Sequence, residues 1–350
     1  MKNSNLLLLF ILNLTLISCG SNSGKKISDF SLSLMDSKTE FQLGETLEVA
    51  VKNPKNREID SVSFYFEDHL LEKSDKTSAS LQLKDQKLGN QNIQALVYSE
   101  GKTDSIQIGV KIFNNNLPEI YTYKIINTYP HDQKAYTQGL EFYKDTLYES
   151  TGQYGNSSLR KTDFETGEIL KKVDLADRYF GEGLSVLNDK IYQLTWNEGE
   201  GLIYDIADLK QTGSFKYNQS KEGWGLTNDG KKFYKSDGSE KIWILNGTTL
   251  AEESFIQPTT HRSISTQLNE LEWIEGKIYA NTYQKDGVAI INPKNGAIEG
   301  LINFQGLRDK VTQHPDLDVL NGIAYNPNTK KIYVTGKNWD KLFEVEIIKK

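Results

Sequence analysis

The residues best suited to chemistry occupy two positions of a repeat in the C-terminal two thirds of the chain. Directly before an apolar run of each repeat stand Gln138, Glu182, Trp224, Asn269 and Asn321. Four residues after a tyrosine that the repeats share stand Gly152, Trp196, Gly238, Tyr283 and Lys337. These positions supply one carboxylate among amides, aromatic rings and one cation. A carboxylate in such surroundings can exchange a proton with a bound molecule.

The repeat that carries these residues has the length of a β-propeller blade. Its copies begin at Gly139, Gly183, Gly225, Glu270 and Gly322, and successive copies start about 42 to 52 residues apart. Each copy contains a predicted hairpin, such as Gly183-Leu-Ser-Val followed by Ile191-Tyr192. Turn residues further along indicate a second hairpin. In a propeller the inner strands line the central channel, so one repeat position becomes a ring around the axis. The ten positions are therefore expected to converge on a pocket.

The ends of the repeat region indicate how the ring closes. After Tyr333 only Leu342 to Ile347 remains, one strand short of a blade, while Tyr121 to Ile126 is unpaired ahead of the first copy. If this early strand completes the last blade, no long edge is left free. The sequence thus predicts an all-β protein with a five-bladed β-propeller at residues 119–350.

The preceding region predicts a separate domain. Residues 27–113 contain short runs of alternating apolar and polar residues, such as Leu47 to Val51 and Val62 to Phe66, divided by turn-rich stretches. This pattern favours a small immunoglobulin-like β-sandwich.

The N-terminus has the features of a lipoprotein signal. Lys2 precedes an apolar run from Leu6 to Ile17, which is too short to span a bilayer but fits a secretory leader. Leu16-Ile17-Ser18-Cys19 matches a lipobox, and Cys19 is the sole cysteine. We expect a signal peptide at residues 1–18, lipidation of Cys19, and a flexible tether at residues 19–26. The protein would then lie outside the cytoplasm, anchored to a bacterial membrane on its periplasmic side or at the cell surface.

Composition argues against some other functions. With 37% hydrophobic and 25% charged residues the chain is too polar for an integral membrane protein. A net charge of −6 without a basic stripe makes nucleic acid a poor partner. The histidines at 69, 131, 261 and 314 show no metal-ligand spacing, so no metal and no cofactor is expected.

Several ordered motifs resemble those of one enzyme family. They include Tyr136-Thr-Gln-Gly-Leu140, Phe180-Gly-Glu-Gly-Leu184, Tyr192-Gln-Leu-Thr-Trp196, Gly223-Trp-Gly-Leu-Thr227 and Leu268-Asn-Glu-Leu-Glu272. From about residue 128 to 283, and more weakly to the end, the chain is similar to the plant and bacterial glutaminyl-peptide cyclotransferases. The resemblance implies a five-bladed propeller and a metal-independent enzyme. Its substrates would be peptides or proteins with N-terminal glutamine.

The resemblance also implies roles for individual residues. Glu182 matches the family's proton-transferring glutamate, and the substrate-contacting positions fall on Tyr136, Gln138, Phe180, Trp196, Trp224, Asn269, Tyr283 and Lys337. Tyr136 replaces the usual Phe, and Tyr283 stands where Trp is common, which changes one pocket wall. Residues 27–113 lie outside the resemblance.

The expected reaction closes N-terminal glutamine to pyroglutamate with release of ammonia, and Glu182 serves as both base and acid. Gln138, Asn269 and Lys337 are expected either to hold the carboxamide oxygen or to anchor the peptide carbonyl. Two alternatives remain open. One is a propeller that captures peptides or glycans without chemistry. The other is a calcium-dependent lactonase-like propeller, which would need more acidic residues at the ring positions.

Overall fold

The computed structural model describes residues 28–35, 37–67, 69–74 and 77–350. The predicted signal peptide at 1–18, the tether at 19–26 and the lipidation site Cys19 lie outside these residues. The described chain is all-β, with one short 3₁₀ helix at Arg308–Lys310. It contains no helix that is long and apolar enough to cross a membrane.

The N-terminal region forms two sheets that share a hydrophobic core. The strands are β1 Ser31–Leu34, β2 Glu40–Gln42, β3 Thr46–Lys52, β4 Ser61–Phe66, β5 His69–Ser74, β6 Ser78–Gln82, β7 Gly89–Ser99 and β8 Lys102–Phe113. One sheet has the order β1-β3-β6, and the other has the order β2-β8-β7-β4-β5. Val49 on the first sheet and Phe64 and Ile93 on the second belong to the same buried cluster. Alternate residues of β7 are buried, as the period-two pattern of this region predicts.

The following region consists of three four-stranded antiparallel sheets and one eight-stranded sheet. The first three contain β10 Thr137–Tyr143, β11 Thr146–Thr151, β12 Ser158–Thr162, β13 Ile169–Asp174; β14 Gly181–Leu187, β15 Lys190–Thr195, β16 Glu200–Asp205, β17 Gln211–Lys216; and β18 Leu226–Asn228, β19 Lys232–Ser236, β20 Ile242–Asn246, β21 Glu252–Ile256. The remaining strands are β22 Leu268–Ile274, β23 Lys277–Thr282, β24 Gly287–Ile291, β25 Ile298–Asn303, β26 Leu320–Asn326, β27 Lys331–Gly336 and β28 Lys341–Lys349. The candidate chemical residues stand at the start of β10, β14, β22 and β26 and directly ahead of β18.

The first strands of the sheets contact one another in a closed circle. Strand β10 contacts β14, β14 contacts β18, β18 contacts β22, β22 contacts β26, and β26 contacts β10. The close approach requires glycine at the start of several strands. A Cβ at Gly183 would lie 2.5 Å from the Leu226 amide nitrogen, and a Cβ at Gly225 would lie 2.0 Å from the Asn269 carbonyl oxygen. The side chains beside these glycines are thereby drawn together.

Strand β9, at Glu119–Pro130, joins the two ends of the repeat region. It pairs antiparallel with β28, where Ile347 faces Tyr123 and Phe343 faces Thr128. It therefore completes the sheet of β26, β27 and β28, which is the pairing that the sequence predicts for Tyr121 to Ile126. Its first residues also pair in parallel with β25.

The two regions contact each other through hydrogen bonds and apolar packing. The Leu88 amide donates to the Asn295 carbonyl at 2.9 Å, and the Asn90 amide donates to Gln257 Oε1 at 2.6 Å. Gln257 is buried, and Ala297 belongs to the core cluster of the N-terminal sheets. The N-terminal region therefore packs on the loops after β21 and β24.

Candidate active site

A pocket of about 250 Å³ opens where residues at the start of the first strands meet residues just after the second strands. Its lining contains every pocket residue that the sequence analysis selected, with one addition: Tyr136, Gln138, Gln153, Phe180, Glu182, Trp196, Trp224, Asn269, Tyr283 and Lys337. These residues come from all of the repeat sheets, so the pocket exists because the sheets are arranged around one axis. The volume suits one amino-acid side chain with its immediate backbone better than a large ligand.

Glu182 is the carboxylate of this lining, and only 4% of the residue is exposed. Gln138 Nε2 donates to Glu182 Oε1 at 3.1 Å, and Gln138 Oε1 in turn accepts from Asn321 Nδ2 at 3.1 Å. Burial raises the pKa of Glu182 well above its usual value. The nearby Lys337 opposes this rise in pKa, while Glu222 and Glu198 add to it. Glu182 therefore holds a proton more readily than an exposed carboxyl does, and it can exchange that proton with a bound molecule.

Lys337 is the cation of the lining, and it too is buried. Burial lowers the pKa of Lys337, while the charges of Glu182 and Asp318 act in the opposite direction. Its Nζ lies 4.7 Å from the centre of the Tyr136 ring and 5.5 Å from that of Tyr283. These contacts direct the ammonium into the pocket between two aromatic faces.

Aromatic rings form most of the pocket wall. Phe180 packs edge-on against Tyr136 at 6.1 Å and against Trp196 at 5.5 Å, and Trp224 packs edge-on against Tyr283 at 5.7 Å. The Tyr136 hydroxyl, which a Phe would lack, donates to Asp318 Oδ2 at 2.8 Å. The rings exclude water from the carboxylate and leave an apolar wall for a substrate.

Two of the ten positions selected by repeat register are glycine, because aromatic side chains occupy the space beside them. A Cβ at Gly152 would lie 2.3 Å from the Phe180 ring, and a Cβ at Gly238 would lie 2.6 Å from the Trp224 ring. Asn321 is the third of these ten positions that lies outside the lining, and its side-chain amide orients Gln138. All ten positions selected by repeat register thus either line the pocket or support a residue that does.

Asn269 has a buried side-chain oxygen that makes no hydrogen bond among the described residues. The residue is 3% exposed and lines the pocket. A buried unpaired acceptor carries a free-energy cost, which a donor on a bound molecule would relieve. The Asn269 oxygen is therefore available for an amine or amide N–H.

Gln153 is a lining residue that the sequence analysis missed. It directly follows Gly152 and has a φ of 95°, a conformation that costs free energy for any residue other than glycine. Its side chain lines both the pocket and a wider adjoining groove that also contains Tyr136. The sequence signal that could have indicated Gln153 is its place next to Gly152, one of the ten positions selected by repeat register.

In the described part of the chain, no group of three or more His, Cys, Asp and Glu side chains is arranged to hold a metal ion. Two other carboxylates near the pocket residues belong to Glu270 and Glu272. They accept hydrogen bonds from the backbone amides of Ile323 at 3.0 Å and Tyr325 at 2.8 Å, respectively. These two carboxylates tie strand β22 to strand β26.

Comparison with known proteins agrees with this geometry. A model of the glutamine cyclotransferase family matches residues 92–347. The match begins inside β7, so it includes strands that the sequence analysis placed outside the resemblance. The glutaminyl-peptide cyclotransferase of Arabidopsis thaliana is 40% identical over 230 residues, which are 64% of this chain and 71% of that protein.

A solved structure is also similar. The glutaminyl cyclase of Myxococcus xanthus is 32% identical, superposes with a TM-score of 0.62, and matches 67% of this chain and 99% of its own. Because the family match covers well over half of the residues, this chain belongs to the glutamine cyclotransferase family.

Proposed function

We propose that this chain is a glutaminyl-peptide cyclotransferase, which converts the N-terminal glutamine of peptides or proteins to pyroglutamate and releases ammonia. The observation that carries the proposal is Glu182, a buried carboxyl with a raised pKa in a small aromatic pocket. Both related proteins are named as enzymes of this reaction, which favours catalysis over simple capture of a peptide.

The reaction needs a proton to be moved over a short distance. The substrate's α-amino nitrogen attacks the side-chain carboxamide carbon, a C–N bond forms, and the nitrogen loses a proton. The former amide C–N bond then breaks, and the departing nitrogen gains a proton to leave as ammonia. In our proposal the Glu182 carboxylate takes the first proton and returns it to the leaving nitrogen. The pocket supplies the folded-back geometry that brings amine and carboxamide together.

The remaining polar residues would hold the substrate. The Lys337 ammonium can donate to the carboxamide oxygen, where negative charge develops as the amine attacks. The unpaired Asn269 oxygen can accept from the substrate's amine or amide N–H. Gln138 fixes the Glu182 carboxyl through their hydrogen bond. Tyr136, Phe180, Trp196, Trp224 and Tyr283 would form the walls.

Ammonia release from a Gln-initiated peptide tests this function. The wild-type protein is expected to release one ammonia per peptide and to produce a peptide that is lighter by the mass of ammonia. The same peptide with an acetylated α-amine is the control, since it has no nucleophile. A wild-type protein that binds the free peptide without releasing ammonia would refute the enzymatic assignment and leave a binding propeller.

We also propose that residues 119–350 form a five-bladed β-propeller and residues 27–113 an immunoglobulin-like β-sandwich. Three observations support the blade count: the three four-stranded sheets beside one eight-stranded sheet, the circle of contacts among β10, β14, β18, β22 and β26, and the pairing of β9 with β28. The two N-terminal sheets with one shared core support the sandwich.

The lipid anchor is a further part of the proposal. The lipobox at Leu16 to Cys19 supports lipidation of Cys19 after removal of residues 1–18. Such an anchor would keep the enzyme outside the cytoplasm on a bacterial membrane. The chain's charge distribution supports peptides rather than nucleic acid as partners.

A further inference from the structure

The aromatic wall of the pocket is an almost complete circuit of ring contacts. Tyr136 contacts Phe180, Phe180 contacts Trp196, and Trp224 contacts Tyr283. Two links of the circuit are made by charged residues. Lys337 bridges Tyr283 and Tyr136 through its ammonium. A residue outside the lining, Glu222, bridges the two tryptophans.

Glu222 bridges the tryptophans with a single carboxylate oxygen. Its Oε2 accepts the indole N–H of Trp196 at 2.8 Å and the indole N–H of Trp224 at 2.9 Å. An indole has only this one donor, so the two bonds use the whole hydrogen-bonding capacity of both rings. A charged acceptor makes these bonds shorter and stronger than bonds to a neutral one. The orientation of each ring in its plane is thereby set by the same atom.

The backbone beneath Glu222 is held in place as well. Lys235 Nζ donates to the Glu222 carbonyl at 2.8 Å and also to the Ser220 hydroxyl. Lys235 is fully buried, its Nζ lies 4.0 Å from the centre of the Tyr217 ring, and burial lowers its pKa to about 8. The Gly223 amide donates to the Trp196 carbonyl at 3.0 Å. The carboxylate is therefore presented from a fixed loop.

The repeat register explains why a carboxylate stands at this place. Glu222 precedes Trp224 by two residues, as Tyr136 precedes Gln138 and Phe180 precedes Glu182. In the first two repeats this position places an aromatic ring in the wall. In the third repeat Glu222 takes the position, and its side chain contacts the indole edges from outside the lining.

We infer that Glu222 is a positioning residue for the reaction, because it holds Trp196 and Trp224 as the two walls between which the substrate's glutamine side chain is folded back. The inference rests on the proposed function for its kinetic consequence, although the hydrogen bonds themselves do not depend on it. Glu222 lies outside the pocket lining and transfers no proton in this scheme.

Two conservative variants separate reach from charge. Glu222→Asp keeps the charge but is shorter by one methylene, so its carboxylate cannot reach both indoles. Glu222→Gln keeps the length and an acceptor oxygen but loses the charge. We expect Glu222→Asp to raise KM for a Gln-initiated peptide at least about fivefold with a smaller change in kcat. We expect the KM of Glu222→Gln to stay within about twofold of wild type. Glu346→Gln, on the exposed side of β28, is the matched control.

Near-ultraviolet circular dichroism provides a readout that does not need activity. The protein has five tryptophans, and Glu222 orients two of them, so Glu222→Asp is expected to change the indole bands while Glu222→Gln preserves them. Wild-type KM and wild-type indole bands in Glu222→Asp would overturn the inference, and so would equal damage in both variants. If wild type releases no ammonia, the proposed function fails, and the indole bands still decide whether Glu222 positions the rings.

Discussion

Replacement of Glu182 by glutamine tests the proton-transfer role of this residue directly. Gln has nearly the same size, and its amide oxygen can still accept from Gln138 Nε2, which lies 3.1 Å from Glu182 Oε1. Only the ability to accept and return a proton is lost. General acid or base assistance contributes about 10² to 10⁴ in rate, and one residue would here provide both. We therefore expect kcat to fall by about 10⁴ or more, with KM changed by less than about threefold.

The pH dependence adds a second signature. Burial raises the pKa of Glu182, and the base form is the carboxylate, so wild-type kcat/KM should rise as pH increases through that raised pKa. In Glu182→Gln this limb should be absent from the residual rate. The assay is coupled ammonia release from a Gln-initiated peptide across pH 5 to 9, with Glu346→Gln measured alongside as a control for a distant substitution.

The same variant should be more stable than wild type at high pH. An acid whose folded pKa is raised contributes its full stability below its unfolded pKa and loses it as pH rises through the folded pKa. Glu182→Gln removes that loss, so its Tm should exceed the wild-type Tm at alkaline pH and equal it near pH 4.

A Glu182→Gln protein that cyclises peptides within about threefold of wild type would refute the proton-shuttle role, and Lys337 or a bound water would then have to carry the proton.

Three further predictions test the walls, the anchor and the domain boundary. Trp196→Ala should weaken substrate binding by about 1 to 3 kcal/mol, seen as a higher KM as well as a lower kcat/KM, because it removes apolar contact area and no group that transfers a proton in the reaction. Cys19→Ser should release the protein from membranes with peptide turnover unchanged, and membrane retention after a salt wash would contradict lipidation. The fragment 116–350 should fold and cyclise peptides, since ring closure uses β9 and no earlier strand; thermal unfolding measures the loss of the contacts to Gln257.

Repeat register predicts the backbone of the pocket well because it is a property of the chain alone. Inner strands around a common axis bring equivalent positions together, so Gln138 and Asn269 could be placed in one lining although they lie far apart in sequence. The all-β class follows equally from period-two alternation, as in β7. The pairing of β9 with β28 follows from the need to leave no free strand edge.

Repeat register does not predict which atoms a side chain can reach. Glu222 occupies a wall position by register, yet its function depends on a length that lets one oxygen meet two indoles from outside. Gln153 enters the lining because of an unusual φ, and its position next to Gly152 in the sequence does not predict this backbone conformation. The partner of Tyr136 is Asp318, a loop residue outside any repeat position. Such contacts depend on loop conformations, which differ from one repeat to the next.

The two charged links in the aromatic circuit have opposite effects on the residue at its centre. Lys337 lowers the pKa of Glu182 and Glu222 raises it, while burial by the rings dominates both. Each link therefore shapes the wall and also sets how readily Glu182 holds its proton. Replacement of Glu222 by glutamine should keep the wall and lower the Glu182 pKa, so the acid limb of kcat/KM should move to lower pH while KM stays constant. The aspartate variant should leave the acid limb in place and raise KM, because it keeps the negative charge and loses the reach. One residue thus links substrate geometry to proton affinity through separable properties of a single side chain.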